Sequence, residues 1–150
     1  MQDLLTFALS QYGIKEHPGA DKNNPEIMKY FKDLGHSWAT NDETAWCAAM
    51  VSYCCKQMGY EGTGGVNARE YESKGWEPKK PTPGDIVILW RGAHKDELIP
   101  GTKLKKGHVG FYLNDDKEYV YMFGGNQGNM ACAMAYPKTQ LIGYRRLKKL

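Results

Sequence analysis

The sequence lacks any run of apolar residues long enough to cross a lipid bilayer, since no stretch approaches the roughly 18 residues that a membrane span needs. It also lacks a signal peptide, because the N-terminus MQDLLTFALSQYG has no basic segment, no long apolar core and no small-residue cleavage site. We therefore expect no membrane insertion, and synthesis in the cytoplasm without a signal peptide. If the protein acts outside the cell, another machine must release or carry it.

A strong excess of charge of one sign is also missing. The formal net charge is +3 over 150 residues, which is too small to predict nucleic-acid binding but favours an anionic partner such as a bacterial wall. The one dense basic cluster is the terminal YRRLKKL, which we interpret as a solvated tail. Repeats, low-complexity runs and long linkers are absent, so residues 1–150 are predicted to form one domain and a monomer.

The order of the predicted elements indicates an α+β fold. Helices are predicted for residues 2–13, for 25–34 after an Asn24 N-cap, and for WCAAMVSYCCKQM up to Gly59, with a short helix in VNAREYESKG. Strands are predicted for IVILW, HVGFYLN, YVYMFGG and LIGYRRL, the middle two joined as a hairpin through DDKE. The predicted helices lie before about residue 75, and the predicted antiparallel strands lie over about 84–148. A parallel sheet typically shows strands and helices that alternate along the chain, so this order indicates an antiparallel sheet.

Metal-binding and disulfide patterns are absent as well. Three of the four cysteines, Cys47, Cys54 and Cys55, lie within nine residues, but there is no C-x-x-C pair and no H-x-x-x-H pair, so neither a metal nor another cofactor is predicted. A disulfide is not expected without an export signal, and Cys54 lies about 10 Å from Cys47 by helical rise. We expect Cys54 and Cys55 to fill the core as small hydrophobes.

Cys47 and His108 are the residues that the sequence offers for nucleophilic chemistry. Cys47 stands at the start of its predicted helix, after the polar segment NDET, where the helix dipole and free N–H groups favour a thiolate. A structural role for this cysteine is about equally well supported. His108 begins a strand between two glycines, which is typical of a ring at the rim of a cleft, although a buried, hydrogen-bonded ring is the alternative. His17, His36 and His94 are interpreted as solvated loop residues.

Asn126, in the segment FGGNQGN, is the candidate for orienting the histidine. It lies across a predicted hairpin from His108, and an amide oxygen that accepts the imidazole N–H would fix the tautomer whose other nitrogen faces the thiol. Gln127 competes for this role or contacts substrate. In the alternative interpretation, Gly124 and Gly125 form a bulge or turn that Asn126 caps.

The segments DETAWCAAMVSYC, PTPGDIVIL, GHVGFYL and FGGNQGN, in this order, resemble the NlpC-like and CHAP-like peptidoglycan hydrolases of phages and prophages, a papain-like group of cysteine peptidases. The resemblance covers nearly the whole chain. It implies a papain-like α+β fold, with Cys47 as nucleophile, His108 as general base and Asn126 as the orienting residue. One departure is Gly124, which stands where many CHAP domains have a glutamate.

The function that follows as an expectation is a cysteine-dependent peptidoglycan hydrolase of the endolysin type, cutting an amide bond as endopeptidase or N-acetylmuramoyl-L-alanine amidase. Trp46 and Gln127 are expected to contact substrate, and Asn41 is a candidate oxyanion donor. A phage pore or a secretion machine would deliver the enzyme to the wall. The alternatives are a papain-like protease or transferase that acts on proteins, and a catalytically inactive module that binds the wall.

Overall fold

The computed structural model describes residues 2–17, 23–36 and 45–150. Its α-helices are α1 (Gln2–Leu9), α2 (Pro25–Asp33) and α3 (Cys47–Met58), and 3₁₀ helices span Ala68–Ser73 and Lys138–Gln140. Its strands are β1 (Ile86–Trp90), β2 (Gly107–Asp115), β3 (Tyr119–Gln127), β4 (Met130–Pro137) and β5 (Leu141–Arg145). None of the described helices is long and apolar enough to cross a bilayer.

The five strands form one antiparallel sheet in the order β4-β3-β2-β1-β5. Helices that precede an antiparallel sheet confirm the α+β prediction. Strand β4, which extends the sheet beyond β3, was not predicted from the sequence. A two-residue turn joins β3 to β4, with positive φ angles of 58° at Gly128 and 63° at Asn129, as a type I′ hairpin requires.

Helix boundaries follow the local sequence. The Asn24 side chain accepts a hydrogen bond from the Glu26 N–H at 2.8 Å and Pro25 opens α2, as predicted. Helix α3 ends at Gly59, which adopts the left-handed conformation with φ of 72°. At its start the N-cap residue is Trp46, with no side-chain cap bond. The polar segment that was expected to supply the cap, residues 41–44, lies outside the described residues.

Helix α3 is the centre of the core. Its residues from Cys47 to Cys55 are all buried, and it packs against α1, α2, β2 and β3. The sheet face toward α3 contributes apolar side chains including Ile86, Val109 and Phe111. The opposite face carries a second cluster formed by Val87, Leu89, Tyr112, Val120 and Met122. The sheet therefore holds the first turn of α3 against the beginning of β2.

The C-terminal basic segment is not the solvated tail that the sequence suggested. The Arg146 guanidinium donates two hydrogen bonds of 2.9 Å to the fully buried carboxylate of Asp85. Arg145 donates to the carbonyl oxygens of Lys74 and Gly75, at 2.6 and 2.8 Å. Lys149 lies 2.6 Å from Asp3. These cations hold the end of the chain to the body of the fold, because each finds an acceptor there.

Candidate active site

Cys47, His108 and Asn126 line one pocket of about 220 Å³. Cys47 is the first residue of α3, His108 lies at the start of β2, and Asn126 lies near the end of β3. The remaining lining comes from Ala45, Arg91, Ile99, Lys106 and Gly107. The fold therefore brings together three residues that are far apart in sequence, at the point where α3 begins against the sheet.

The Cys47 side chain is nearly buried, with 8% of its surface exposed. Burial raises the pKa of the Cys47 thiol, and the Val109 N–H, the Arg91 charge and the N–H groups at the helix start offset this only in part. The helix start thus favours the thiolate as expected, but desolvation outweighs it. Cys47 consequently rests as a neutral thiol at neutral pH.

His108 is buried with 1% exposure, which corresponds to the buried alternative rather than to a ring at the rim. Its Nε2 lies 2.9 Å from Oε1 of Gln127. The Gln127 amide nitrogen donates in turn to the carbonyl oxygen of Cys132 at 2.7 Å. Because this second bond identifies Oε1 as the atom facing the ring, Nε2 of His108 carries the proton. Nδ1 is then the unprotonated nitrogen that can accept a proton from a thiol.

The pKa of His108 is lowered to about 4, chiefly by burial and also by the nearby Arg91 charge, while the Gln127 bond opposes the shift. The imidazole is therefore neutral at neutral pH. A neutral thiol beside a neutral imidazole is a general-base arrangement, in which the proton moves from sulfur to nitrogen as the thiol attacks.

Gln127, rather than Asn126, holds His108, and the reason is a bulge in β3. The pairing of β3 with β4 shifts register between Gly124 and Gln127, and Asn126 has a positive φ of 57°. The extra residue turns the Gln127 side chain inward and leaves Asn126 at the pocket. The bond to His108 therefore comes from Gln127, the competitor that the sequence offered for the orienting role, and the register shift agrees with the alternative that the glycines form a bulge.

Gly124 provides the space for the Gln127 amide. A Cβ atom added at Gly124 would lie 2.7 Å from Oε1 of Gln127, closer than such contacts occur. The space beside Gly124 is therefore filled by the side chain of Gln127, which lies three residues further along the strand.

The two expected substrate contacts, Trp46 and Gln127, are not at the pocket surface. Trp46 has no exposed surface and packs against Tyr30, with ring centroids 6.1 Å apart. A Cβ at Gly125 would lie 2.6 Å from the Trp46 ring. Gln127 is 2% exposed. Trp46 is thus a core residue and Gln127 a partner of His108. Asn41, the candidate oxyanion donor, lies outside the described residues.

Two residues near the site were missed by sequence reasoning. Arg91 immediately follows β1 and lies close enough to Cys47 and His108 for its charge to act on both. Its signal in the sequence is an arginine directly after the apolar run IVILW. Tyr136 of β4 places its hydroxyl 3.4 Å from Nε2 of His108, with ring centroids 5.4 Å apart. Because β4 itself was missed, nothing in the sequence pointed to Tyr136.

The other cysteines and histidines have different surroundings. Cys54 and Cys55 are fully buried within α3, and burial raises the pKa of Cys55 to about 12. His36 contacts the Gly64 carbonyl oxygen at 2.9 Å, and His94 accepts the Asp96 N–H at 3.2 Å. Across the described ranges, no three His, Cys, Asp or Glu side chains group closely enough to hold a metal ion.

A larger cavity of about 330 Å³ lies at the C-terminal end of α3. It is lined by side chains and backbone from Leu34, Cys55, Tyr60 and Leu150 among others. It has no histidine, and its one thiol has the raised pKa just given. Of these two cavities, the pocket at Cys47 is the one that combines a thiol with an imidazole.

The sequence profile of the CHAP domain matches residues 38–126, which is more than half of the chain. The chain belongs to the CHAP domain family. The matched region contains Cys47, His108 and Asn126 and ends one residue before Gln127. Membership identifies the protein as one of a family of cell-wall hydrolases.

A solved structure has a similar fold to this CHAP domain. It is a crystal structure from Staphylococcus aureus subsp. aureus Mu50, described as similar to a lipoprotein of the NLP/P60 family, with 16% sequence identity and a TM-score of 0.50. The similarity covers 97% of this chain and 40% of that chain. It supports the papain-like α+β fold predicted from the sequence. No curated protein matches the sequence.

Proposed function

We propose that this CHAP domain is a cysteine-dependent peptidoglycan hydrolase that cleaves an amide bond of the cell-wall peptide, as endopeptidase or N-acetylmuramoyl-L-alanine amidase. The proposal rests on two linked hydrogen bonds: Gln127 donates to the Cys132 carbonyl oxygen and accepts from His108. His108 lines the same pocket as Cys47. These two hydrogen bonds fix the tautomer of an imidazole in the pocket that holds a thiol. A binding module does not need a fixed tautomer. Family membership supplies the cell wall as the substrate.

In the proposed reaction, Nδ1 of His108 takes the Cys47 proton while the sulfur attacks the amide carbonyl. The tetrahedral intermediate collapses, His108 gives its proton to the departing amine, and a thioester remains on Cys47. A water molecule then gives one proton to His108 as its oxygen attacks the thioester. Release of the carboxylic acid and return of that proton to sulfur restore the resting thiol. The Cys47 backbone N–H, at the start of α3, is a candidate donor to the oxyanion.

We further propose an endolysin role, in which release through a phage pore or delivery by a secretion machine would bring this chemistry to the wall. The net charge of +3 would assist adsorption to an anionic wall.

The test is release of new amines from purified peptidoglycan, followed by mass spectrometry of the soluble muropeptides. Wild-type protein should release amines, and the masses identify the amide that is cut. Cys47→Ala should release none while it keeps the circular dichroism of the wild type. Cys54→Ala is the matched control, because it removes a different sulfur from the same helix and should retain activity.

Three results would contradict the proposal in different ways. Equal amine release by the wild type and Cys47→Ala would show that the thiol is not the nucleophile. Release from casein but not from peptidoglycan would indicate a protein peptidase. Sedimentation with cell walls without any amine release would indicate a binding module.

A further inference from the structure

Arg91 carries a positive charge in the pocket that has no carboxylate partner among the described residues. It is exposed, and it lines the pocket together with Cys47 and His108. No ion pair within 4.0 Å joins it to an Asp or Glu in the described ranges. Arginine presents a planar fork of donors that matches a carboxylate. Among the described residues, the Arg91 side chain hydrogen-bonds to the hydroxyl of Tyr136, which is not a carboxylate.

The other cation of the pocket is already neutralised. Lys106 lies 2.8 Å from the carboxylate of Glu97. That carboxylate also accepts from the Ala93 backbone, and these bonds lower the pKa of Glu97, the Lys106 bond most. The described lining of the pocket offers Arg91 no acidic side chain, since it consists of apolar, amide, glycine, thiol, imidazole and basic groups. The described part of the pocket therefore has one uncompensated charge, and that charge is positive.

The position of Arg91 is fixed by the sheet. Leu89 of β1 pairs with His108 of β2, and Trp90 pairs with Gly107. Arg91 is the next residue, so its backbone is held beside the start of β2 and its charge lies near the reacting groups. The charge of Arg91 acts on the pKa of both Cys47 and His108, after the larger effect of burial.

We propose that Arg91 is a substrate-binding residue that recognises a free carboxylate on the peptide close to the scissile amide, so that acidic peptides are cleaved in preference to their amidated forms. The inference rests on the proposed function and names the substrate class of the same site. A carboxylate bound to Arg91 would sit beside the carbonyl that Cys47 attacks. Amidation of that carboxylate removes the charge and one of the two acceptor oxygens.

The test compares two soluble muropeptides that differ only in whether the carboxylate nearest the cleaved bond is free or amidated. The wild type should cleave the free acid with a kcat/KM about ten- to a hundredfold higher, the range expected for a charge-assisted hydrogen bond. Arg91→Gln should lose this preference by slowing the free acid alone. Arg91→Lys should restore part of it, since the charge remains but the fork is lost.

Lys103→Gln is the matched control, because Lys103 is an exposed cation of the same loop that does not line the pocket. It should keep the full preference of the wild type. Equal wild-type rates on the two peptides, or equal slowing of both by Arg91→Gln, would overturn the assignment of Arg91 while leaving the hydrolase proposal intact.

A binding measurement separates the two proposals. Calorimetry with the Cys47→Ala protein needs no cleavage, and the free-acid peptide should bind about tenfold or more tightly than the amidated peptide. That difference should disappear when Arg91→Gln is added. Absence of cleavage by the wild type together with preserved discrimination in binding would overturn the hydrolase function alone. Equal affinities would overturn the role of Arg91.

Discussion

Oε1 of Gln127 lies 2.9 Å from Nε2 of His108, so Gln127 is the residue that holds the imidazole. Both side chains are buried, so water does not compete for the bond. The Gln127 amide is itself fixed by the Cys132 carbonyl. A shielded partner of this kind holds the imidazole in one tautomer, with Nδ1 unprotonated, which is the form that the proposed reaction requires.

Gln127→Ala should therefore lower kcat on the order of a hundredfold, because the His108 tautomer is no longer fixed and its buried Nε2–H loses its partner. Asn126→Ala should change KM more than kcat, since Asn126 lines the pocket but the bond to His108 comes from Gln127. Steady-state kinetics on a soluble muropeptide distinguish the two effects. A larger loss of kcat in Asn126→Ala than in Gln127→Ala would return the orienting role to Asn126.

Gly124→Ala should reproduce part of the Gln127 defect without a change at Gln127 itself. The added Cβ would lie 2.7 Å from Oε1 of Gln127, so the amide must shift away from His108. Gly143→Ala, on β5, is the control, because a Cβ there meets nothing within 4 Å. The expected result is a lower kcat for Gly124→Ala and an unchanged kcat for Gly143→Ala, with both proteins folded by circular dichroism. Full activity in Gly124→Ala would show that the amide position is not critical.

Stability should fall as the pH falls from about 6.5 to about 4. The folded-state pKa of His108 is lowered to about 4, whereas an unfolded histidine titrates near 6.5, about the ordinary value. Between these pH values the unfolded chain binds a proton that the folded protein does not bind. The contribution of neutral His108 to the free energy of unfolding is therefore complete above the unfolded pKa and is lost as the pH falls toward the folded pKa. The shift corresponds to about 3 kcal/mol. Urea unfolding at several pH values measures this slope, and His108→Gln should flatten it. Equal slopes for the two proteins would contradict the buried neutral state.

Cys54→Ser should chiefly reduce stability, in contrast to Cys47→Ser, which should abolish activity and leave the fold. Cys54 has no exposed surface, and a hydroxyl in its place loses apolar contacts and is buried away from water, at a cost of about 1–3 kcal/mol. Chemical denaturation and amine release measured on both variants test the asymmetry. The reverse pattern, in which Cys54→Ser is inactive but stable, would indicate that Cys54 rather than Cys47 is the nucleophile.

Arg146→Ala should destabilise the fold by about 3–5 kcal/mol, because it leaves the buried carboxylate of Asp85 without its cation. Lys149→Ala removes a nearby cation whose pair with Asp3 is exposed, and it should cost about 1 kcal/mol or less. Thermal unfolding of both variants gives the comparison. A melting temperature of Arg146→Ala equal to that of the wild type would indicate that the Arg146–Asp85 pair contributes nothing to stability.

The sequence predicted most of the fold, because its signals were local. Asn24 and Pro25 marked the start of α2, Gly59 marked the end of α3, and the β-branched run IVILW marked β1. Strand β4 was missed because its sequence MACAMAYP consists largely of small or flexible side chains, and only Ala131 is fully buried. The pair Gly128-Asn129, which forms the hairpin turn, was the signal that could have revealed it.

The sequence also placed Cys47, His108 and Asn126 in one pocket, but it could not divide the roles of Asn126 and Gln127. Simple strand alternation assigns side chains to faces, and a bulge changes that assignment by one residue. Whether a pair of glycines bulges depends on packing against other elements. Here the Trp46 ring lies where a side chain at Gly125 would be. That contact is tertiary, so no pattern within FGGNQGN contains it.

The bulge in β3 has a practical consequence for engineering. It gives two consecutive residues different surroundings, since Gln127 holds His108 from within the protein while Asn126 lines the pocket. Because Asn126 has a positive φ of 57°, substitutions that tolerate the left-handed conformation, such as Asp or Gly, are the ones expected to change the pocket while the bulge and the Gln127–His108 bond stay in place. In a regular strand next to this base, holding the imidazole and lining the pocket would fall to a single side chain, and selectivity and rate would have to change together.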